Sequence, residues 1–202
     1  MSITTYAELQ TAVADWLHRT DLTTKIPDFI ALAESAMSAR IKCRSMEARS
    51  TLTCTASSAY VTLPTDMIEM RRLTLSSTTP ARQLKYVTPD EITSDYPYGT
   101  TGEPYVFTVI AGQVQLAPIP DSAYTLELTY LQRIPALSDS NTTNWLLTAY
   151  PTVYLYGSLL QAQPYMADDA RLPVLSQLYK DGVDAINSID WYSGSTMAVR
   201  SS

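Results

Sequence analysis

The chain has 202 residues, enough for one domain with an insertion or for two small ones, and a chain of this size buries roughly 70% of its unfolded surface. Its 14 Lys and Arg are outweighed by 20 Asp and Glu, a formal charge of −6, which excludes the basic footprint of a protein that grips phosphate. The longest apolar stretches, such as VYLYGSLLQA, fall short of the ~20 residues of a membrane span, and the N-terminus lacks a basic segment followed by an apolar one, so neither a membrane span nor a cleaved leader is expected.

The first element is a helix from about 6 to 19. Thr5 and Glu8 stand at capping-box spacing, and Tyr6, Leu9, Val13, Trp16 and Leu17 recur at steps of three and four. Asp21 to Lys25 interrupt the pattern, and Pro27 suits the first turn of a second helix. Ile30, Ala33, Met37 and Ile41 make its apolar stripe, with Glu34, Ser38 and Lys42 read as lying off it. A short connection predicts that the two helices pair antiparallel.

After Arg44 the helical period disappears. Thr and Ser become frequent, and turn residues recur every 8 to 12 positions, the punctuation of short strands. Strands are predicted at Ala48 to Thr55, Ala59 to Leu63, Glu69 to Leu75, Arg82 to Val87, Tyr105 to Ile110, Gln113 to Ala117 and Tyr124 to Leu131. One short helix interrupts them, with Thr88 as cap, Pro89 at its first position and Glu91 at its third. In the last strand Tyr124, Leu126, Leu128 and Tyr130 alternate with Thr125, Glu127 and Thr129, so one face is buried and the other is free. Val114 and Leu116 show the same alternation across Pro118 to Ser122, and the two strands are expected to form a hairpin over 113–131.

Beyond Pro135 the sequence returns to helix. Trp145 to Leu147 predict a helical turn, and Pro151 starts a helix to about Gln163 whose Val153, Tyr154, Leu155, Tyr156, Leu159 and Leu160 surround its axis. A helix apolar all round is buried, either centrally in its domain or between subunits. The last helix, about Leu172 to Trp191, separates Leu175, Tyr179, Gly182, Val183, Ile186 and Ile189 from a polar face. The final YSGSTMAVRSS has little bulk and is expected to be mobile.

These elements predict an α+β fold. An antiparallel helical bundle built from both chain ends, 1–46 with 140–192, carries a β-rich insertion at 47–139, and 193–202 form a flexible tail.

Catalytic chemistry finds little to work with. The common nucleophile, phosphate-loop, dinucleotide and zinc motifs are absent. His18, the single imidazole, falls at a helix C-terminus where a cation is favoured, and Asp90/Glu91 and Asp168/Asp169 fall at helix starts where capping accounts for them. Arg71 and Arg72 are neighbours in a strand and should point to opposite faces, which argues against a shared anion site. Cys43 and Cys54 read as free thiols. No catalytic, metal or cofactor-binding residue is assigned. Tyr is abundant, 14 against two Phe, which suits either a β core or a protein with much interface.

The stretches YVTLPTDMIEMRRLTL, GEPYVFTVIAGQVQLAPIPDSAYTLELTYLQRIPAL and NWLLTAYPTVYLYGSLLQAQPYMADDARLPVLSQLYKDGVDAIN resemble the head-to-tail adaptor (connector) proteins of short-tailed, podovirus-type bacteriophages, over roughly Tyr6 to Asp190. The resemblance implies a structural virion protein, not an enzyme. It implies a twelve-subunit homo-oligomeric ring at the head-to-tail interface, assembled in the host cytoplasm under the portal protein, that continues the DNA channel and meets the tail nozzle and tail fibres. Genomic DNA would pass through without specific binding. On this footing Trp191, Tyr192, Met197, Val199 and Arg200 are expected to dock on the portal, and the free chain to stay monomeric until it does so. Tyr154, Tyr156, Thr125, Glu127 and Thr129 are candidates for subunit or tail contacts. The competing readings are a tail-completion or neck protein of a longer-tailed phage, and a carbohydrate-binding or hydrolytic module with a Tyr-lined sugar platform on the hairpin.

Overall fold

The computed structural model describes residues 3–96, 99–165 and 170–189. It mixes helix and sheet and divides into two compact units: one contains the described residues up to Met46 together with those from Ile134 onward, the other spans Glu47–Arg133.

In the helical unit, α1 (Tyr6–Leu17) starts with the anticipated capping box, Thr5 accepting from the Glu8 N–H and the Glu8 carboxylate accepting from the Thr5 N–H. It ends at His18, which adopts a left-handed conformation (φ 51°) as C-cap. A 3-10 turn over Thr20–Lys25 leads into α2 (Ile26–Arg40), which has Pro27 in its first turn. After the β unit come α4 (Trp145–Ala149, N-capped by Asn144), α5 (Pro151–Ala162) and α6 (Leu172–Ile189). Helix α5 is the hub: α1, α2, α4 and α6 all pack on it, and Val153, Tyr154, Leu155, Gly157, Ser158 and Leu159 are buried. Most of its apolar circumference is therefore covered within one chain, with Tyr156 and Leu160 half-buried. Gly157 permits close approach of two neighbours, because a Cβ there would lie 2.8 Å from Met37 Cε of α2 and 3.1 Å from Tyr179 Cε2 of α6.

The β unit is a sandwich. Sheet A has the order β1 (Glu47–Cys54), β10 (Tyr124–Gln132), β3 (Met67–Leu75), β4 (Arg82–Gln83). Sheet B has the order β2 (Tyr60–Thr62), β8 (Gln113–Ala117), β7 (Val106–Ile110), β5 (Lys85–Tyr86). The core between them joins Cys54, Leu73, Leu75, Leu126, Leu128 and Tyr130 to Val61, Phe107, Val114 and Leu116. Helix α3 (Pro89–Asp95), capped by Thr88 as anticipated, covers the outer side of sheet B with Ile92 on Val106 and Ala117.

Two expectations need correction. The hairpin over 113–131 does not form: β8 pairs with β7 and β2, whereas β10 pairs with β1 and β3 in the other sheet. Between them β9 (Ile119–Pro120) pairs in parallel with β6 (Thr101–Gly102), which leads the chain out of one sheet and toward the other. In addition, residues 134–139, expected with the insertion, belong to the helical unit, since Ile134 and Leu137 are buried there and the Leu137 N–H donates to Glu34 at 2.8 Å.

Candidate interaction surfaces

The free face of β10 lies at the centre of sheet A. Thr125, Glu127 and Thr129 are partly exposed there, flanked by Thr53, Thr51 and Arg49 of β1 in direct register and by Thr74 and Arg72 of β3 opposite Glu127 and Thr129. The result is a polar surface of threonine rows crossed by one ion pair, Arg49 to Glu127. Threonine suits the position twice over, because its branched Cβ fits a pleated sheet and its hydroxyl offers donor and acceptor to a neighbour. Tyr124 and Tyr130 turn the other way, onto the sandwich core, so this strand presents no aromatic platform for a sugar.

In the helical unit the two tyrosine candidates part company. Tyr154 is wholly buried, and its hydroxyl donates to Glu34 at 3.0 Å while accepting from the Asn144 side-chain amide at 2.6 Å. It is an interior residue of the folded chain and not a surface contact, which corrects the sequence reading. Tyr156, half-buried, stacks edge-to-face on Trp16 with ring centres 6.1 Å apart. Glu34 is a buried residue that the sequence pattern assigns to the polar side. It sits four residues after Ile30 and three before Met37, inside the apolar arc, and its charge alone placed it off the stripe. Burial raises its carboxyl above the ordinary range, against the opposing effect of the Leu137 N–H and the Tyr154 hydroxyl.

The same unit exposes apolar side chains that no described residue covers. Val174 is 60% exposed and Leu178, one turn further along α6, 43%; Leu32 on α2 is 55% exposed. The portal-docking candidates Trp191, Tyr192, Met197, Val199 and Arg200, and the pair Asp168/Asp169, lie outside the described residues.

Candidates for chemistry are dispersed. Asp90 and Glu91 occupy the first turn of α3, where the helix dipole favours negative charge. Among the described residues no group of three His, Cys, Asp or Glu side chains is placed to hold a metal ion. None of the described helices is long and apolar enough to cross a membrane.

Helical and β units with a polar sheet face and exposed apolar side chains offer surfaces for contact, and the profile of the SU10 adaptor protein family matches residues 4–200. The chain belongs to this family of phage adaptor proteins. Membership makes it a structural component of the virion at the head-tail junction, with portal and tail proteins as partners. No curated protein sequence matches it.

Proposed function

We propose that the chain is one subunit of a twelve-membered ring seated under the portal of a short-tailed phage, where it prolongs the DNA channel and docks the tail nozzle and fibres. In this reading the helices of both chain ends form an antiparallel bundle that stands beside its neighbours around the ring. The observation that carries it is the apolar exposure of Val174, Leu178 and Leu32 on a unit whose core is already closed around α5. Val174 and Leu178 adjoin one another one turn apart on α6, and neighbouring exposed apolar side chains of this kind mark a surface that a partner covers.

The β unit contributes the tail-facing contacts through Thr125, Glu127 and Thr129, and Tyr156 belongs to the subunit interface. Trp191, Tyr192, Met197, Val199 and Arg200 supply anchors for the portal. A net charge of −6 favours a channel through which DNA moves without adhering. Free subunits remain monomeric, so that rings close only on the portal.

Negative-stain images of purified portal mixed with the chain test this reading. An added ring of density on one face of the portal is expected; portals unchanged at saturating chain would contradict it.

A further inference from the structure

Alternation along a regular strand would send Arg71 and Arg72 to opposite faces, but β3 is not regular there. Its register against β10 steps from Arg72↔Thr129 to Met70↔Tyr130, leaving Arg71 as the extra residue of a bulge. The bulge takes Arg71 out of the alternation while Arg72 keeps its place opposite Thr129, and both residues border one cavity of about 310 Å³ within the β unit. Its apolar lining comes from Leu73 and Leu84 on one side and Phe107 and Val109 on the other. Tyr86, 56% exposed, stands at its rim with its ring edge-on to Phe107 at 5.7 Å.

Two further features belong to the same place. The outer edge of β3 is paired by β4 at Thr74 and Leu75, and the Leu84 N–H adds a bond to the Leu73 carbonyl at 3.0 Å. On β7, β5 pairs with Val106 and Phe107. Among the described residues no strand pairs the outer edges of β3 from Met67 to Arg72 or of β7 from Thr108 to Ile110, so backbone donors and acceptors border the cavity on both sheets. Charge is also left over. Arg71 pairs with Glu69 at 3.4 Å, whereas Arg72 has no ion-pair partner among the described residues, an excess positive charge on a chain of net −6.

We propose that this cavity binds an extended segment of a partner protein in which an apolar side chain adjoins an aspartate or glutamate. The apolar side chain enters between Leu84 and Phe107, the carboxylate pairs with Arg72 in the two-pronged geometry that guanidinium favours, and the segment's backbone bonds to an open strand edge. A volume of this size lies at the lower end of the range for ligand pockets, roughly 300 to 1,000 Å³, and suits one or two side chains. The proposal does not depend on ring assembly and is tested on the isolated full chain.

The probe is a fluorescein-labelled eight-residue peptide with alternating leucine and aspartate flanked by serines, titrated by fluorescence polarisation. Saturable binding is expected, weakened about tenfold or more by Arg72→Glu and by replacing the peptide's aspartates with asparagine. Arg72 is exposed, so this variant folds; Val109→Phe, which fills the cavity, should weaken binding too wherever circular dichroism shows it folded. No binding, binding unchanged by Arg72→Glu, or equal affinity for the asparagine peptide would overturn the proposal. Displacement of the peptide by N-acetyl-leucine or inorganic phosphate at the same concentration would also overturn it, by marking a small-molecule site.

Discussion

The Tyr154 hydroxyl donates a hydrogen bond of 3.0 Å to the Glu34 carboxylate, joining α5 to α2 inside the helical unit. Asn144 extends the link, since its amide donates to the Tyr154 oxygen at 2.6 Å and to the Pro135 carbonyl at 2.7 Å. The Leu137 N–H donates to the same Glu34 oxygen at 2.8 Å. One carboxylate and one phenol thus fix the segment by which the chain re-enters its helices.

Replacing Glu34 separates hydrogen bonding from charge. Glu34→Gln keeps a carbonyl oxygen for both donors and should change stability by less than about 1 kcal/mol. Glu34→Leu strands the Leu137 N–H and the Tyr154 hydroxyl and should cost about 3 kcal/mol. Urea unfolding of the two variants beside the native chain gives the comparison, and equal losses would remove the network from the account.

The pH dependence has a definite sign. Burial lifts the folded-state carboxyl of Glu34 above an unfolded value of about 4.3, so the folded state holds the proton more tightly. That contribution is full below the unfolded value and is lost as pH rises through the raised one. The stability of the native chain minus that of Glu34→Gln, whose amide does not titrate, should therefore fall as pH rises from about 4 to neutrality. A flat difference across that window would show that burial does not act on this carboxyl.

Packing around α5 gives a paired test. The Tyr179 hydroxyl is buried with no hydrogen-bond partner among the described residues, so Tyr179→Phe should raise stability by about 1 kcal/mol. Gly157→Leu should lower it by at least about 2 kcal/mol, because Met37 and Tyr179 already occupy the space of a side chain. Thermal or urea midpoints decide both.

On the β unit, Glu127→Ala removes a solvent-screened pair with Arg49 and should cost under about 1 kcal/mol. Thr125→Lys with Thr129→Glu, which sets the new carboxylate between Arg49 and Arg72, should leave the sandwich folded and prevent retention of the tail nozzle in a pull-down on assembled portal rings. Undiminished retention would take this face out of the docking surface.

Local order was largely legible in the sequence. Thr5 with Glu8 and Thr88 with Glu91 announce helix starts through contacts three residues apart, and the period of two in Tyr124 to Tyr130 assigns the faces of β10. Pairing was not legible, because β10 takes partners as distant as Glu47, opposite Leu131, and no local signal ranks them above the adjacent β8. The bulge at Arg71 was hidden for a related reason, since a bulge depends on register with the neighbouring strand. Glu34 shows the opposite case: its position in the helical period marked it as interior, and its charge hid the fact.

Native mass spectrometry of the chain with and without purified portal tests the central claim most directly. The account predicts monomers alone and, with portal, a complex whose added mass equals one closed ring of subunits. Portal masses unchanged at saturating chain, or a stoichiometry of scattered single subunits, would contradict it.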